Sequence, residues 1–280
     1  MLPTSSPPRF VSLDESLVAS ACRLSSQARW NQTEDDWRRL IRLKAARAMV
    51  WTDEQEVRVS YSVVRHGSQV AWIGMLLVDE AYRGRGLGKA ALSSALRDAQ
   101  DFPLVGLDAT DLGEPIYLRN GFQTICPIVR WTGVPHALFP RDPLLHFGLQ
   151  ERILQLDARC CGVDRSMLLK DMEGSGAVVL SIQEGSSTAA YGVLRAGRNA
   201  AHLGPVVASS PEAFRSIMNA ASGLCEGKPM LCDALSIEAG KVLADFGLHP
   251  ARFLKRMTLP AQPGCLAGDG VWCGAGFELG

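Results

Sequence analysis

The sequence has no run of like charge that could form a nucleic-acid face or a membrane-binding surface. Its 29 Lys and Arg balance 29 Asp and Glu over 280 residues, for a net charge of zero. It also lacks an apolar stretch of the roughly 18 residues that a membrane span needs. The opening MLPTSSPPRF has neither the basic nor the apolar segment of a secretory leader. A cytoplasmic protein without nucleic-acid or membrane partners is therefore expected. The eight cysteines include no Cys-x-x-Cys pair, and Cys160 and Cys161 are adjacent, which suits neither a zinc knuckle nor an ordinary bridge. Most of them read as buried small hydrophobes, and no metal site is expected.

What is present is length and apolar content enough for two domains, since 280 residues with 47% hydrophobic side chains exceed the usual single domain of roughly 100–150 residues. The most informative stretch is 71–91, AWIGMLLVDEAYRGRGLGKAA. Its apolar first half reads as a buried strand. Arg83-Gly84-Arg85-Gly86-Leu87-Gly88 follows a short turn, and then Leu87, Ala91, Ala95 and Ala99 recur every four residues as the apolar face of a helix. Strand, glycine loop and helix together aim backbone N–H groups and the positive end of a helix dipole at one spot, which suits a phosphate-bearing ligand. The spacing excludes two common loops. Lys89 stands where a dinucleotide fingerprint needs its third glycine. A Walker A loop would need one more residue between Gly84 and Gly88, and a hydroxyl where Ala90 stands.

Arg83-x-x-Gly86-x-Gly88 after Leu76-x-Val78 resembles the pyrophosphate loop of the GCN5-related N-acetyltransferases, the GNAT family. A second segment agrees. In LDATDLGEPIYLRNGF, residues 107–122, Thr110 or Asp111 is expected to cap a short helix that ends at Asn120-Gly121, with Tyr117 one turn before the stop. This is similar to the family's last helix, a Tyr followed after three residues by Gly-Phe or a close variant. The resemblance covers residues 9 to about 133.

It implies an α/β (α+β) fold whose two central strands splay apart to admit the pantetheine arm of acetyl-coenzyme A. Leu76, Leu77 and Val78 would pair with that arm, and Arg83, Gly84, Arg85, Gly86, Leu87, Gly88 and Lys89 would form the pyrophosphate loop. The implied reaction is acetyl transfer from acetyl-coenzyme A to a primary amine of a small molecule or peptide, by direct attack in a ternary complex. A lysine-like amine, with a free pKa of about 10.4, must lose a proton before it attacks. A backbone N–H near Leu77 or Val78 could stabilise the charge that develops on the thioester oxygen. By similarity Tyr117 would protonate the departing thiolate, packing of its helix being the other role open to it. The strand before the loop offers no carboxylate base at Trp72, Gly74 or Leu76, where many members carry a Glu. Asp108 is the first candidate, with a turn-stabilising role as its alternative, and Glu80 the second. Trp30, Trp37 and Asp36 lie at the N-terminal helices that wall the acceptor site in the family, and core packing is the favoured role for either tryptophan.

Along the chain the pattern predicts a strand at 9–13, helices at 14–29 and 35–44 with Thr33 and Asp36 as a capping box, and strands at 48–52, 57–64 and 69–78. A helix at 87–100 and a strand at 104–109 follow, the latter parallel to the 71–78 strand. Pro135, Pro140 and Pro143 mark a stiff connector over 134–148 between domains at 1–133 and 149–280. The second half predicts helices at 150–157 and 164–172, strands at 177–183, 189–196 and 199–208, and a last strand at 272–277. Ala201-His202-Leu203-Gly204 repeats Ala71-Trp72-Ile73-Gly74, and residues 233–257 track 108–131. Two domains of one fold in tandem are expected, each a mixed, mostly antiparallel sheet with a central parallel pair flanked by helices. The second has no glycine loop; Ser210 and Pro211 start a helix there instead. The whole chain resembles tandem GNAT proteins, including a bacterial group with segments like 202–205 and 164–165. The second domain would then wall the acceptor channel or mediate assembly. His202 is within reach of such a channel as a base, or is a hydrogen-bonded core residue. The alternative to an enzyme is a non-catalytic module that senses acyl-coenzyme A.

Overall fold

The computed structural model describes residues 8–185 and 187–280, so most of the opening segment read for a leader lies outside the described residues. The first half runs β1 (Val11–Ser12), α1 (Val18–Gln27), α2 (Glu34–Arg42), β2 (Ala46–Asp53), β3 (Glu56–His66), β4 (Val70–Val78), α3 (Leu87–Asp98), β5 (Leu104–Ala109), α4 (Glu114–Arg119) and β6 (Gln123–Gly133). The second half runs β7 (Leu145–Phe147), α5 (Glu151–Cys161), α6 (Ser166–Gly174), β8 (Val178–Glu184), β9 (Ser187–Arg195), β10 (Ala201–Ala208), α7 (Pro211–Cys225), β11 (Met230–Ala234), α8 (Ile237–Asp245), β12 (His249–Leu259) and β13 (Val271–Cys273).

The local signals act as their chemistry dictates. Thr33 and Asp36 form the capping box of α2, and the Ser210 side chain caps α7, with Pro211 in its first turn. The cap of α4 differs from the expected one: Gly113 is the capping residue, and the Thr110 hydroxyl instead accepts from the Gly113 N–H at 3.3 Å. Within 134–148, residues 145–147 form an edge strand, β7, on β8.

Among the described residues the strands make one 13-stranded sheet, in the order β1-β2-β3-β4-β5-β12-β6-β11-β13-β10-β9-β8-β7. Two joins are parallel, β4 with β5 and β10 with β11, and the others are antiparallel. Apart from β13, the order matches its own reverse when β1 to β6 are exchanged for β7 to β12. Two separate sheets were expected, and their fusion has a definite cause. Each half lends its last long strand to the other: β12 pairs with β5, β6 pairs with β11, and β6 and β12 pair with each other at the centre.

An apolar cluster crosses the whole molecule, from Trp37 and Trp72 in the first half to Leu169, Tyr191 and Phe277 in the second. Removing this surface from water stabilises the halves together rather than separately. Helix α2 adds polar ties to the second half, with Asp36 accepting from Arg195 at 2.8 Å and Arg39 donating to Asp171 at 3.0 Å.

Candidate active site

The site begins where β4 and β5 part. They pair only at Val70 with Leu104, Ala71 with Val105 and Trp72 with Gly106, although both strands continue further. The Trp72 ring crosses Gly106 so closely that a Cβ there would lie 2.3 Å from it, and the ladder stops at that point. On its other side β4 carries a bulge, with Ser62 opposite Gly74 but Ser60 opposite Leu77. Met75 takes a φ of +46°, and its buried carbonyl accepts from the Ser60 hydroxyl at 2.7 Å. Leu76, Leu77 and Val78 thus present an unladdered backbone edge to a gap in the sheet.

The glycine loop lies at the open end of that gap. Gly84 and Gly86 have φ of +76° and +77°, values that an L side chain resists, and nothing stands within 4 Å of a Cβ placed on either. Gly86 caps α3 without a side-chain hydrogen bond, and the first turn carries no acidic residue. Its leading N–H groups and the positive end of its dipole therefore face open space.

A cavity of about 740 Å³ joins the gap to the loop. Leu76, Leu77, Val78, Arg83, Gly84 and residues 86–89 line it, whereas Arg85 does not: its guanidinium lies 4.8 Å over the Tyr82 ring and donates to the Ala81 carbonyl at 2.9 Å. Tyr117 closes the inner end. Its ring packs edge-on to Phe122, with centroids 6.0 Å apart, and Gly113 leaves room for it, since a Cβ there would lie 2.7 Å from the ring. Burial pushes the Tyr117 phenol up to about 12, so it is protonated throughout the neutral range. Arg252 of β12 also lines the cavity and escaped the sequence reading, because only the strand exchange brings it there.

A second, narrower cavity of about 60 Å³ shares Tyr117, Trp30, Leu76 and Thr110 with the first and adds Asp108, Phe277 and Glu278. Asp108 and Tyr117 are therefore brought together. Asp108 also carries a partner that the sequence did not disclose. Both of its carboxylate oxygens accept from Arg256, one from Nε and one from Nη2, each at 3.0 Å. Burial pushes the Asp108 carboxyl up to about 6 while Arg256 pulls the other way. Glu80, exposed beside Arg83 at 3.5 Å, lines the larger cavity only. Trp37 is wholly buried and donates to the Ser25 hydroxyl at 3.2 Å, which places it in the core. His202 is buried 3.4 Å from Asp233, and burial lowers its pKa to about 4.

The equivalent place in the second half is filled. β10 and β11 pair only at Ala201 with Met230 and His202 with Leu231, and β13 enters the gap beyond: Val206 and Ala234 both pair with Cys273. The N-terminus of α7 is closed as well. Ser210 accepts from the Ala213 N–H, Pro211 lacks a donor, and Glu212 adds a negative charge in the first turn.

Two family models match the chain. The acetyltransferase (GNAT) family matches residues 19–114, and a second acetyltransferase (GNAT) domain model matches residues 153–263. The chain is 22% identical over 271 residues to an uncharacterized N-acetyltransferase, YitH, of Bacillus subtilis, covering 92% of this chain and 95% of that one. Its fold is shared with the crystal structure of a presumed acetyltransferase from Pyrococcus horikoshii, with a TM-score of 0.83 at 16% identity over 99% and 98% of the two chains. It is shared too with a tandem GNAT protein from the clavulanic acid biosynthesis pathway, with a TM-score of 0.62 at 15% identity over 89% and 97%. The chain therefore carries two domains of the GNAT acetyltransferase family in tandem.

Proposed function

We propose that the protein is an N-acetyltransferase that moves the acetyl group of acetyl-coenzyme A to a primary amine by direct attack in a ternary complex. In this reading residues 1–133 bind the coenzyme, 134–148 connect, and 149–280 form a GNAT-like domain without a pyrophosphate loop. The observation that carries it is the junction of three features in one cavity: the unladdered edge of β4, the Gly86-capped start of α3, and the Tyr117 phenol.

The residues present fit the coenzyme. Free N–H groups at residues 86–89 suit a pyrophosphate, with Arg83 and Lys89 beside them, and the β4 edge suits the amides of a pantetheine arm. When bound, acetyl-coenzyme A supplies the activated thioester. A phenol that burial keeps protonated can give its proton to a departing sulfur, and an N–H near Leu77 or Val78 can meet developing negative charge. Asp108 is assigned a positioning role, because both of its oxygens already hold Arg256, which lies 4.7 Å over the Trp72 ring and donates to the Leu266 carbonyl at 2.6 Å.

Calorimetry with coenzyme A, followed by thiol release from acetyl-coenzyme A across a panel of amines, tests the proposal. Binding with turnover on at least one amine is expected. Binding without turnover on any amine would make the protein an acyl-coenzyme A sensor instead.

A further inference from the structure

No carboxylate on β4 faces the parting of the strands, yet one arrives there from 200 residues further along the chain. After β13 has filled the gap of the second domain, the chain continues across to the first. A Cβ on Gly204 would lie 2.2 Å from the Gly274 carbonyl, and a Cβ on Gly74 would lie 2.6 Å from the Glu278 Cα. The two matched glycines of the repeat are thus the two places over which residues 274–278 cross. The crossing is anchored on both sides. Trp72 donates its indole N–H to the Phe277 carbonyl at 3.1 Å, the Arg130 guanidinium lies 3.9 Å over the Phe277 ring, and His66 Nε2 bonds the Leu279 carbonyl at 2.8 Å.

Glu278 is 2% exposed and lines the narrower cavity with Tyr117 and Asp108. Gln32 donates to one of its oxygens at 2.8 Å. Its other oxygen is 3.4 Å from Arg195, whose stronger contacts go to Asp36 at 2.8 Å and to the Ala275 carbonyl at 3.0 Å. Asp108 is held in a two-bond fork, and Glu278 is the carboxylate of the cavity held more loosely.

Resting on the N-acetyltransferase reading, we propose that Glu278 is the general base for the acceptor amine, so that the second domain completes the active site of the first. Glu278 accepts one proton from the acceptor ammonium, the freed nitrogen lone pair forms the N–C bond as the carbonyl π pair moves onto oxygen, and the C–S bond breaks as that pair returns. Tyr117 gives its proton to the sulfur and takes back the second proton that the nitrogen sheds; Glu278 releases its own to solvent. Four charged side chains act on the group: Arg195 and Arg130 favour its ionised form, whereas Asp36 and Asp108 oppose it. Burial is the largest influence and raises its pKa, the direction a base for neutral pH requires.

The test compares wild type and Glu278→Gln on two acceptors: an alkyl primary amine, protonated at neutral pH, and hydroxylamine, largely unprotonated there. Glu278→Gln should lower kcat on the alkyl amine by about 100-fold or more. On hydroxylamine the loss should be several-fold at most, with coenzyme A binding by calorimetry unchanged. Equal losses on both acceptors, or none on either, would overturn the proposal. If Glu278→Gln does not fold, the same ratio is read in Glu278→Asp. A wild type that acetylates no amine would instead overturn the acetyltransferase reading itself.

Discussion

Asp108 and Arg256, 148 residues apart and from different halves, form a buried two-bond ion pair at 3.0 Å, and Asp233 with Arg130 repeats it at 2.7 Å with the halves exchanged. The two pairs follow from the swap of β6 and β12. Arg256 of β12 lies opposite Asp108 of β5, and Arg130 of β6 lies opposite Asp233 of β11.

A buried pair that loses one partner leaves the other charge uncompensated. Arg256→Met should therefore lower stability by about 3–5 kcal/mol. Because the strands are exchanged, urea unfolding followed by fluorescence and by circular dichroism should give one coincident transition in wild type and variant alike. Two separated transitions would mean that the halves fold independently.

Gly86→Ala tests the loop. A side chain at a φ of +77° costs about 1–2 kcal/mol, and its methyl group enters the space above the helix start. Coenzyme A affinity should fall at least tenfold while circular dichroism is unchanged, and unaltered affinity would remove the loop from the binding site.

Tyr117→Phe keeps the ring and its contact with Phe122 but removes the proton donor. kcat should drop by about 100-fold with coenzyme A binding intact. With the phenol pushed up to about 12, wild type should show no alkaline loss of activity from this group below pH 10. An unchanged kcat in the variant would refute the assigned role.

His66 and His202 are buried, and burial lowers the pKa of each from 6.5 to about 4. The unfolded chain then binds protons between pH 6.5 and 4 that the folded chain refuses. Their contribution is present above pH 6.5 and is lost as pH falls towards 4, by roughly 3 kcal/mol for each histidine. Denaturant midpoints measured from pH 7 to 4 should fall, and His202→Gln should flatten the slope.

Much of this molecule was legible locally. The spacing of residues 83–88, the Thr33 and Asp36 box and the turn at Asn120-Gly121 act through neighbours in sequence, and so did Ser210 and Pro211. The repeat of residues 71–74 in 201–204 disclosed the tandem. The strand exchange was not legible, because β6 and β12 have the same apolar pattern whichever half they join. Arg256, Arg252 and Glu278 reach the site only through that exchange and through the crossing of residues 271–280. The one hint was negative: Gly74 has no side chain on the strand before the loop, and the space it leaves is taken by Glu278.

In the proposed reading one coenzyme slot is open, and its twin is filled by β13. Calorimetric titration of the full chain with coenzyme A tests this most directly. One equivalent bound per chain, weakened by Gly86→Ala, is the predicted result. Two equivalents, or one that Gly86→Ala leaves untouched, would contradict it.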